Sequence, residues 1–217
     1  IRDRCGVNLK GANLRGCSFK GALLERADFT DAILAGADLS DFDLSGCCFA
    51  GADPSDAKLK DTNLSGVDLQ GANLDGCNLQ DANLSRANFN GASLEKALFS
   101  GARLDGTSFI EANLSDAVFR QCCLDAIDFT GANMDGADCQ SASFKQAILA
   151  GASLVGANLS NANLQSADLT ATDLSEAKLL QASFVEASLS GATVARAMFE
   201  NVNMQQANLS GVDFSEC

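Results

Sequence analysis

Residues 82–101 read ANLSR-ANFNG-ASLEK-ALFSG, four successive five-residue units with a small residue first and a large apolar residue third. We call these two positions the small slot and the central position. From Leu9 to Phe214 every central position is apolar and all but Pro54 fit the pattern clearly, while the small slot is mostly Ala. No insertion or deletion breaks the frame. So strict a period is typical of a solenoid, in which each unit buries its apolar residues by stacking on its neighbours.

A period of five fits neither a helix, with apolar spacing near 3.6, nor a free strand, with spacing of 2. The units ANLRG at 12–16, ADLSD at 37–41 and ANLQS at 162–166 resemble those of the pentapeptide-repeat family, and the resemblance covers essentially the whole chain. It implies an all-β solenoid, a right-handed quadrilateral parallel β-helix of about 11 coils of about 20 residues. Central and small-slot residues would then point inward.

The phenylalanines independently favour four units per coil. If a coil takes four units, residues 20 apart lie above one another and aromatic rings can stack at the spacing of paired strands, about 4.7–4.9 Å. Three runs of phenylalanine have this spacing, the first two in one column and the third in another: Phe29 and Phe49; Phe89, Phe109 and Phe129; Phe99 and Phe119. We therefore expect rings to pile up inside the tube on two opposite faces.

Residues 1–217 are expected to form one repeat domain, because a solenoid has no size limit set by a single globular core. The repeat runs nearly from end to end without a capping segment, which solenoids normally need. We therefore expect the chain to be a module of a larger protein. End-to-end self-association is the alternative.

The nine cysteines have no pair 20 residues apart, the spacing that a disulfide between coils would need. Most occupy inward positions and are expected to be buried, reduced hydrophobic residues, whereas Cys48 and Cys123 should point outward. No histidine is present, and neighbouring cysteines point to opposite sides of the sheet, so no metal site is expected. Reduced thiols favour a cytoplasmic location. Targeting stays unknown because the N-terminus looks truncated.

The acidic charge is concentrated when the units are assigned to four faces. Face one starts at residues 7–11, face two at 12–16, face three at 17–21 and face four at 22–26, and each recurs every 20 residues. Face one carries a net charge of −5 and face two −7, while faces three and four carry −1 each, out of −13 for the chain. A corner column on face three adds Asp41, Asp61 and Asp81. Two adjacent faces thus hold nearly all the excess negative charge.

Two interpretations of the acidic faces stay open. Asp and Asn both bond to turn backbone in the position before the central residue, and acidic surfaces favour solubility. Alternatively, a one-sided negative field recruits a protein partner with a basic surface. On that hypothesis the partner-binding residues are Asp28, Asp31, Asp53, Asp56, Asp68, Asp75, Asp116, Asp128, Asp135, Asp168, Asp173 and Glu176.

Composition argues against other functions. Without histidine, and without a loop long enough to build a pocket, no catalytic, cofactor-binding or metal-binding residues are expected, so the chain is not expected to be an enzyme. The negative charge opposes direct nucleic acid binding, and no apolar run is long enough for a membrane span. The leading hypothesis is a non-catalytic scaffold or protein-protein interaction module.

The family resemblance supplies an alternative. Some pentapeptide-repeat proteins protect DNA gyrase from quinolones and resemble duplex DNA in shape and charge. A DNA-mimicking regulator of a DNA-binding enzyme is therefore the second hypothesis. The mimicry would be partial, because a duplex carries about 30 charges over about 50 Å whereas the two acidic faces offer −12.

Three residues depart from the motif. Phe42 and Ile127 occupy the small slot, where a large side chain must push the sheet outward or turn out itself. Pro54 occupies a central position and removes a backbone donor, which should weaken one ladder bond. A local contact site near Phe42 and Pro54 is possible on this pattern, but tolerated drift of the repeat is favoured.

Overall fold

Parallel bridges join residues 20 apart throughout the computed structural model, which describes residues 6–217. They run from Asn8↔Asp28 to Ser188↔Asn208, so one coil consists of four five-residue units, as the phenylalanine spacing predicted. The chain forms a right-handed quadrilateral parallel β-helix. Each face contributes one bridged residue per coil instead of a long strand, and the described residues contain no helix.

Every unit ends in a tight turn that makes one corner of the coil. At every corner from Gly11 to Gly211 except those before Phe42 and Val202, the small-slot N–H donates to the preceding central carbonyl, as from Ala12 N to Leu9 O over 3.0 Å. The last residue of the unit is left-handed at each of the 41 corners from Gly11 to Gly211, with φ of 65° at Gly11 and 55° at Asp31. A turn with positive φ only at its third residue is of type II, which favours Gly there and explains why 18 of the 41 corner residues are glycine.

The core consists of the central and small-slot side chains, and its phenylalanines stack as predicted. Phe109 lies 5.1 Å from Phe89 and 5.2 Å from Phe129 between ring centroids, with interplanar angles of 9° and 2°. Across the tube it meets Phe99 and Phe119 edge-on, at 5.9 and 6.2 Å. Faces one and three therefore interlock through aromatic edges, the arrangement preferred by ring quadrupoles.

Polar residues in the small slot have a constant partner. The hydroxyl of Thr107 donates to Leu84 O over 3.0 Å, and that of Thr62 donates to Leu39 O over 2.9 Å. In each case the acceptor is the turn carbonyl 23 residues earlier, one coil below and one corner back. The described part of the chain consequently leaves no buried side-chain nitrogen or oxygen without a partner.

The three motif departures have different outcomes. The expected loss at Pro54 is confirmed, because Asp53 and Asn73 are not bridged although face two is bridged immediately before and after them. Phe42 is half-buried against the core, and face four has no bridge between Leu23 and Asp43 beside it.

Of the two outcomes expected for Ile127, an outward-turned side chain is wrong. Its side chain is buried and face one remains bridged on both sides of it. At the adjoining corner the bond from Ile127 N to Leu124 O is long, at 3.4 Å.

Face four lacks a second parallel bridge, a gap that the repeat pattern does not predict. Arg103 and Cys123 are not bridged, and the N–H groups of Leu104 and Gly106 have no hydrogen-bond partner among the described residues. Faces one and three stay bridged at the same level, as at Ser108↔Asp128. The opening is therefore confined to one side of the tube.

Candidate functional site

The confirmed 20-residue register fixes the candidate acidic residues on two adjacent faces. Asp28, Asp68, Asp128 and Asp168 share one column on face one, with other residue types between them. Asp53 and Asp173 occupy the equivalent column on face two. The candidates are thus spread along the rod as an extended surface, and they do not converge on a single pocket.

Carboxylates in these columns also support the backbone. Oδ1 of Asp28 accepts from Thr30 N over 2.9 Å, and Oδ1 of Asp68 accepts from Gln70 N over 3.1 Å. Bonds from the side chain and backbone of Thr30 lower the pKa of Asp28. Asn113 makes the same bond to Ser115 N, over 3.3 Å. The turn-bonding interpretation is therefore confirmed for one carboxylate oxygen, and the second oxygen of Asp28 and of Asp68 has no hydrogen-bond partner among the described residues.

The corner carboxylates of the set are all exposed. Asp31, Asp56 and Asp116 occupy the left-handed corner position, and all three are exposed. Oδ1 of Asp116 lies 2.5 Å from the place where a Cβ on Gly136 would be, and Asp31 lies similarly against Gly51, at 2.8 Å. Glycine one coil later therefore leaves room for each of these carboxylates to lie along the edge of the rod.

Asp75 and Asp135 are tied to the following coil. Oδ1 of Asp75 accepts from Ser93 Oγ over 2.6 Å and from Glu95 N over 2.8 Å. Asp135 is bonded in the same way by Ser153 and Val155. We call this arrangement, an Asp or Asn at n, a Ser at n+18 and a backbone N–H at n+20, the inter-coil clamp.

The clamp was missed from sequence, although an Asx–Ser spacing of 18 would have indicated it. It recurs at Asn90 and Asp125. The clamped carboxylates Asp75 and Asp135 therefore have a structural task besides any role in binding.

Ion pairs distinguish the acidic faces from face three. Each of the four basic residues on faces one and two already lies within 4.0 Å of a carboxylate: Lys10 near Asp31, Arg15 near Asp53, Lys96 near Glu95 and Arg196 near Glu176. Such exposed pairs contribute little stability. Most other carboxylates on these faces have no cation within that distance among the described residues, so the excess negative charge is uncompensated.

On face three the corner column is partly neutralised. Lys60 Nζ lies 3.8 Å from carboxylate oxygens of both Asp61 and Asp81. Lys58 and Arg120 approach Asp38 and Asp138 on the same face. Faces one and two are therefore the negatively charged side of the rod.

The thiols are unreactive or isolated. All eight described cysteines are free, and Cys48 and Cys123 are exposed as predicted. Burial raises the pKa of Cys77 to about 12 and that of Cys122 to about 11, so neither is a thiolate near neutral pH.

Residues 6–217 bring together no three His, Cys, Asp or Glu that could hold a metal. Nor does that span contain an apolar helix of the length needed to cross a bilayer.

Known proteins resemble the chain at the level of family and fold. The family model described as pentapeptide repeats (8 copies) matches residues 8–46 and 43–76, and the pentapeptide repeat region model matches 75–139 and 137–214. No curated protein sequence is significantly similar to the chain.

Two solved structures resemble the chain over most of its length. HetL, a pentapeptide repeat protein involved in heterocyst differentiation regulation in the cyanobacterium Nostoc sp. strain PCC 7120, is 29% identical, with a TM-score of 0.64 over 97% of this chain and 90% of HetL. A trypsin-treated form of QnrB1, a plasmid-mediated fluoroquinolone resistance protein, is 20% identical, with a TM-score of 0.53 over 84% of this chain and 90% of QnrB1. Together with the family models, which span nearly the whole sequence, these likenesses show that the chain belongs to the pentapeptide-repeat family.

Proposed function

We propose that this protein is a non-catalytic scaffold or interaction module whose faces one and two bind a protein partner with a basic surface. The observation that carries the proposal is the concentration of uncompensated carboxylates on two adjacent faces, which hold −12 of the net charge of −13. A rigid rod holds these charges at fixed spacing, so little conformational entropy of the rod is lost when a partner binds.

Charge of this kind acts mainly on association rate and partner choice. A one-sided field steers a basic partner toward the acidic faces and repels acidic partners. At physiological ionic strength the screening length is about 8 Å, so the attraction operates close to the surface and weakens with added salt. Binding should therefore be salt-dependent and confined to one side of the rod.

A charge-reversal experiment with a matched control tests the proposal. The test variant carries Asp56→Lys, Glu111→Lys and Asp116→Lys on faces one and two, and the control carries Asp61→Lys, Asp81→Lys and Glu186→Lys on faces three and four. All six residues occupy the left-handed corner position, where Lys96 and Arg196 already occur. Each variant changes the net charge equally, so only the location of the change differs.

The probe is a synthetic polyarginine peptide titrated calorimetrically at low and physiological salt. We expect the test variant to bind about tenfold more weakly than the control. Equal loss of binding in the two variants would contradict the proposal, because net charge alone would then explain the interaction.

A DNA-mimicking regulator is the second candidate. The rod with its charge on one side favours it, whereas the likeness to QnrB1 concerns the fold alone. DNA gyrase is the DNA-binding enzyme to test, in a supercoiling assay at low and high salt with the same two variants. Inhibition that the test variant loses would support mimicry. No effect of the wild-type rod at micromolar concentration would eliminate it.

A further inference from the structure

Four Asx–Gly steps occur in the chain, at 75–76, 90–91, 105–106 and 135–136, all at unit corners. Such steps are prone to succinimide formation, because glycine has no Cβ to shield its amide nitrogen and the nitrogen can reach the neighbouring Cγ. The reaction requires a free amide nitrogen and a side chain that can rotate toward it. The four steps differ in whether the glycine amide is hydrogen-bonded and in whether the preceding side chain is fixed.

At three of the steps both the glycine N–H and the preceding side chain are hydrogen-bonded. The N–H groups of Gly76, Gly91 and Gly136 donate to carbonyls of the next coil over 2.7, 2.8 and 2.9 Å. The preceding side chains, Asp75, Asn90 and Asp135, are all fixed by the inter-coil clamp. A nucleophile engaged in the ladder and a fixed electrophile cannot meet without local opening of the coil.

The fourth step lies at the second gap on face four. The Gly106 N–H has no acceptor among residues 6–217, and the Asp105 carboxylate is 74% exposed. Its one ionic neighbour is Arg103, at 3.9 Å between Nη2 and Oδ2. The clamp is absent because residue n+18 is Cys123 instead of serine, and the N–H at n+20, that of Asp125, stays unbonded in this part of the structure.

We propose that Asp105–Gly106 is a site of spontaneous isoaspartate formation in the folded protein. The Gly106 nitrogen attacks Cγ of Asp105, a C–N bond forms, and the amide proton leaves with the carboxyl hydroxyl as water. Hydrolysis of the resulting succinimide returns one water. Opening at the main-chain carbonyl gives isoaspartate, in which the backbone runs through Cγ, and opening at the other carbonyl restores aspartate.

The reaction needs no oxidant, reductant or cofactor. Isomerisation lengthens the backbone by one methylene group next to a corner that is already unbridged. Residue 105 would then be a substrate for isoaspartyl carboxyl methyltransferases, which recognise the displaced carboxylate.

The test is prolonged incubation of the folded protein at 37 °C, followed by methyltransferase labelling with S-adenosylmethionine and peptide mapping by mass spectrometry. We expect isoaspartate at residue 105 to accumulate at least several-fold faster than at Asp75 or Asp135. In urea the three Asp–Gly steps should react at similar rates, since the difference arises from the structure.

Cys123→Ser is the matched variant, because it supplies the missing hydroxyl of the clamp. We expect it to slow isomerisation at residue 105 toward the rate at the clamped steps, and to protect the Gly106 amide from hydrogen exchange. Equal rates at the three steps in the folded wild type would overturn the proposal, even if Cys123→Ser proved unstable. So would an unchanged rate at residue 105 in a folded Cys123→Ser protein.

Discussion

The thiol of Cys77 donates a hydrogen bond to the carbonyl oxygen of Pro54, 2.9 Å away and one coil earlier. Pro54 is also where face two loses a bridge, because proline has no N–H to donate to Asn73. The neighbouring bond from Asn73 N to Ala52 O is kept at 3.0 Å, and so is that from Asp56 N to Asp75 O at 2.7 Å. The defect therefore consists of one missing hydrogen bond.

Replacing this proline should stabilise the coil. Pro54→Leu restores the donor and the usual central residue, which we expect to contribute about 1 kcal/mol, offset by about 0.5 kcal/mol for the more flexible unfolded chain. Urea unfolding measures the net gain, and hydrogen exchange reports whether the new amide at residue 54 is protected. A less stable protein with a rapidly exchanging amide there would show that the ladder cannot close at Asn73.

The stacked rings should contribute more than their size alone. Phe109 contacts four other rings, whereas Phe184 has no aromatic neighbour among the described residues. Because each of these four aromatic pairs contributes about 0.5–1.5 kcal/mol beyond burial, Phe109→Leu should lower the free energy of unfolding by about 2–6 kcal/mol more than Phe184→Leu. Equal losses in urea unfolding would mean that the stacks contribute only apolar area.

Thiol reactivity should separate outward from inward cysteines. At pH 8 we expect iodoacetamide to modify Cys48 and Cys123 in the native protein, since both are exposed. Cys77 and Cys122 should stay unmodified until the protein unfolds, because they are buried and their pKa values are raised to about 12 and about 11. Mass-spectrometric mapping with and without urea makes the comparison. Rapid native labelling of Cys77 would contradict its position in the core.

Acid should weaken the columns of turn-bonding aspartates. Bonds from Ser45 and Asn63 lower the pKa of Asp43, so its contribution to stability is full above the unfolded value of about 3.9 and is lost as the pH falls through the lower folded pKa. Asp43→Asn keeps the acceptor but does not titrate. The urea midpoint of the wild type should therefore fall below pH 4 more steeply than that of Asp43→Asn. Parallel curves would exclude this carboxylate as a source of acid sensitivity.

The sequence predicted features that depend on the repeat period and missed those that depend on contacts between particular side chains. Stacking of Phe89 on Phe109 and the lost donor at Pro54 both follow from position in the unit. The gap between Arg103 and Cys123 does not, because a cysteine at that outward position fits the repeat pattern. At Ile127 the pattern likewise did not decide between a displaced sheet and an outward-turned side chain, and the structure shows a buried side chain.

The 20-residue register of the coil decides which carboxylates share a face. Cross-linking tests it directly. In a background with Cys48→Ser, a protein with Asn113→Cys, Asn133→Cys and Cys123→Ser places two thiols 20 residues apart on bridged positions of face two. The control carries Asn113→Cys alone and keeps the native Cys123, ten residues away on face four.

Bridged neighbours meet the Cα separation that a disulfide requires, about 4.4–6.8 Å, whereas residues on opposite faces do not. Under mild oxidation we predict a rapid intramolecular disulfide between residues 113 and 133, and none between residues 113 and 123. A disulfide in the control but not in the test protein would contradict the register, and with it the placement of the acidic faces.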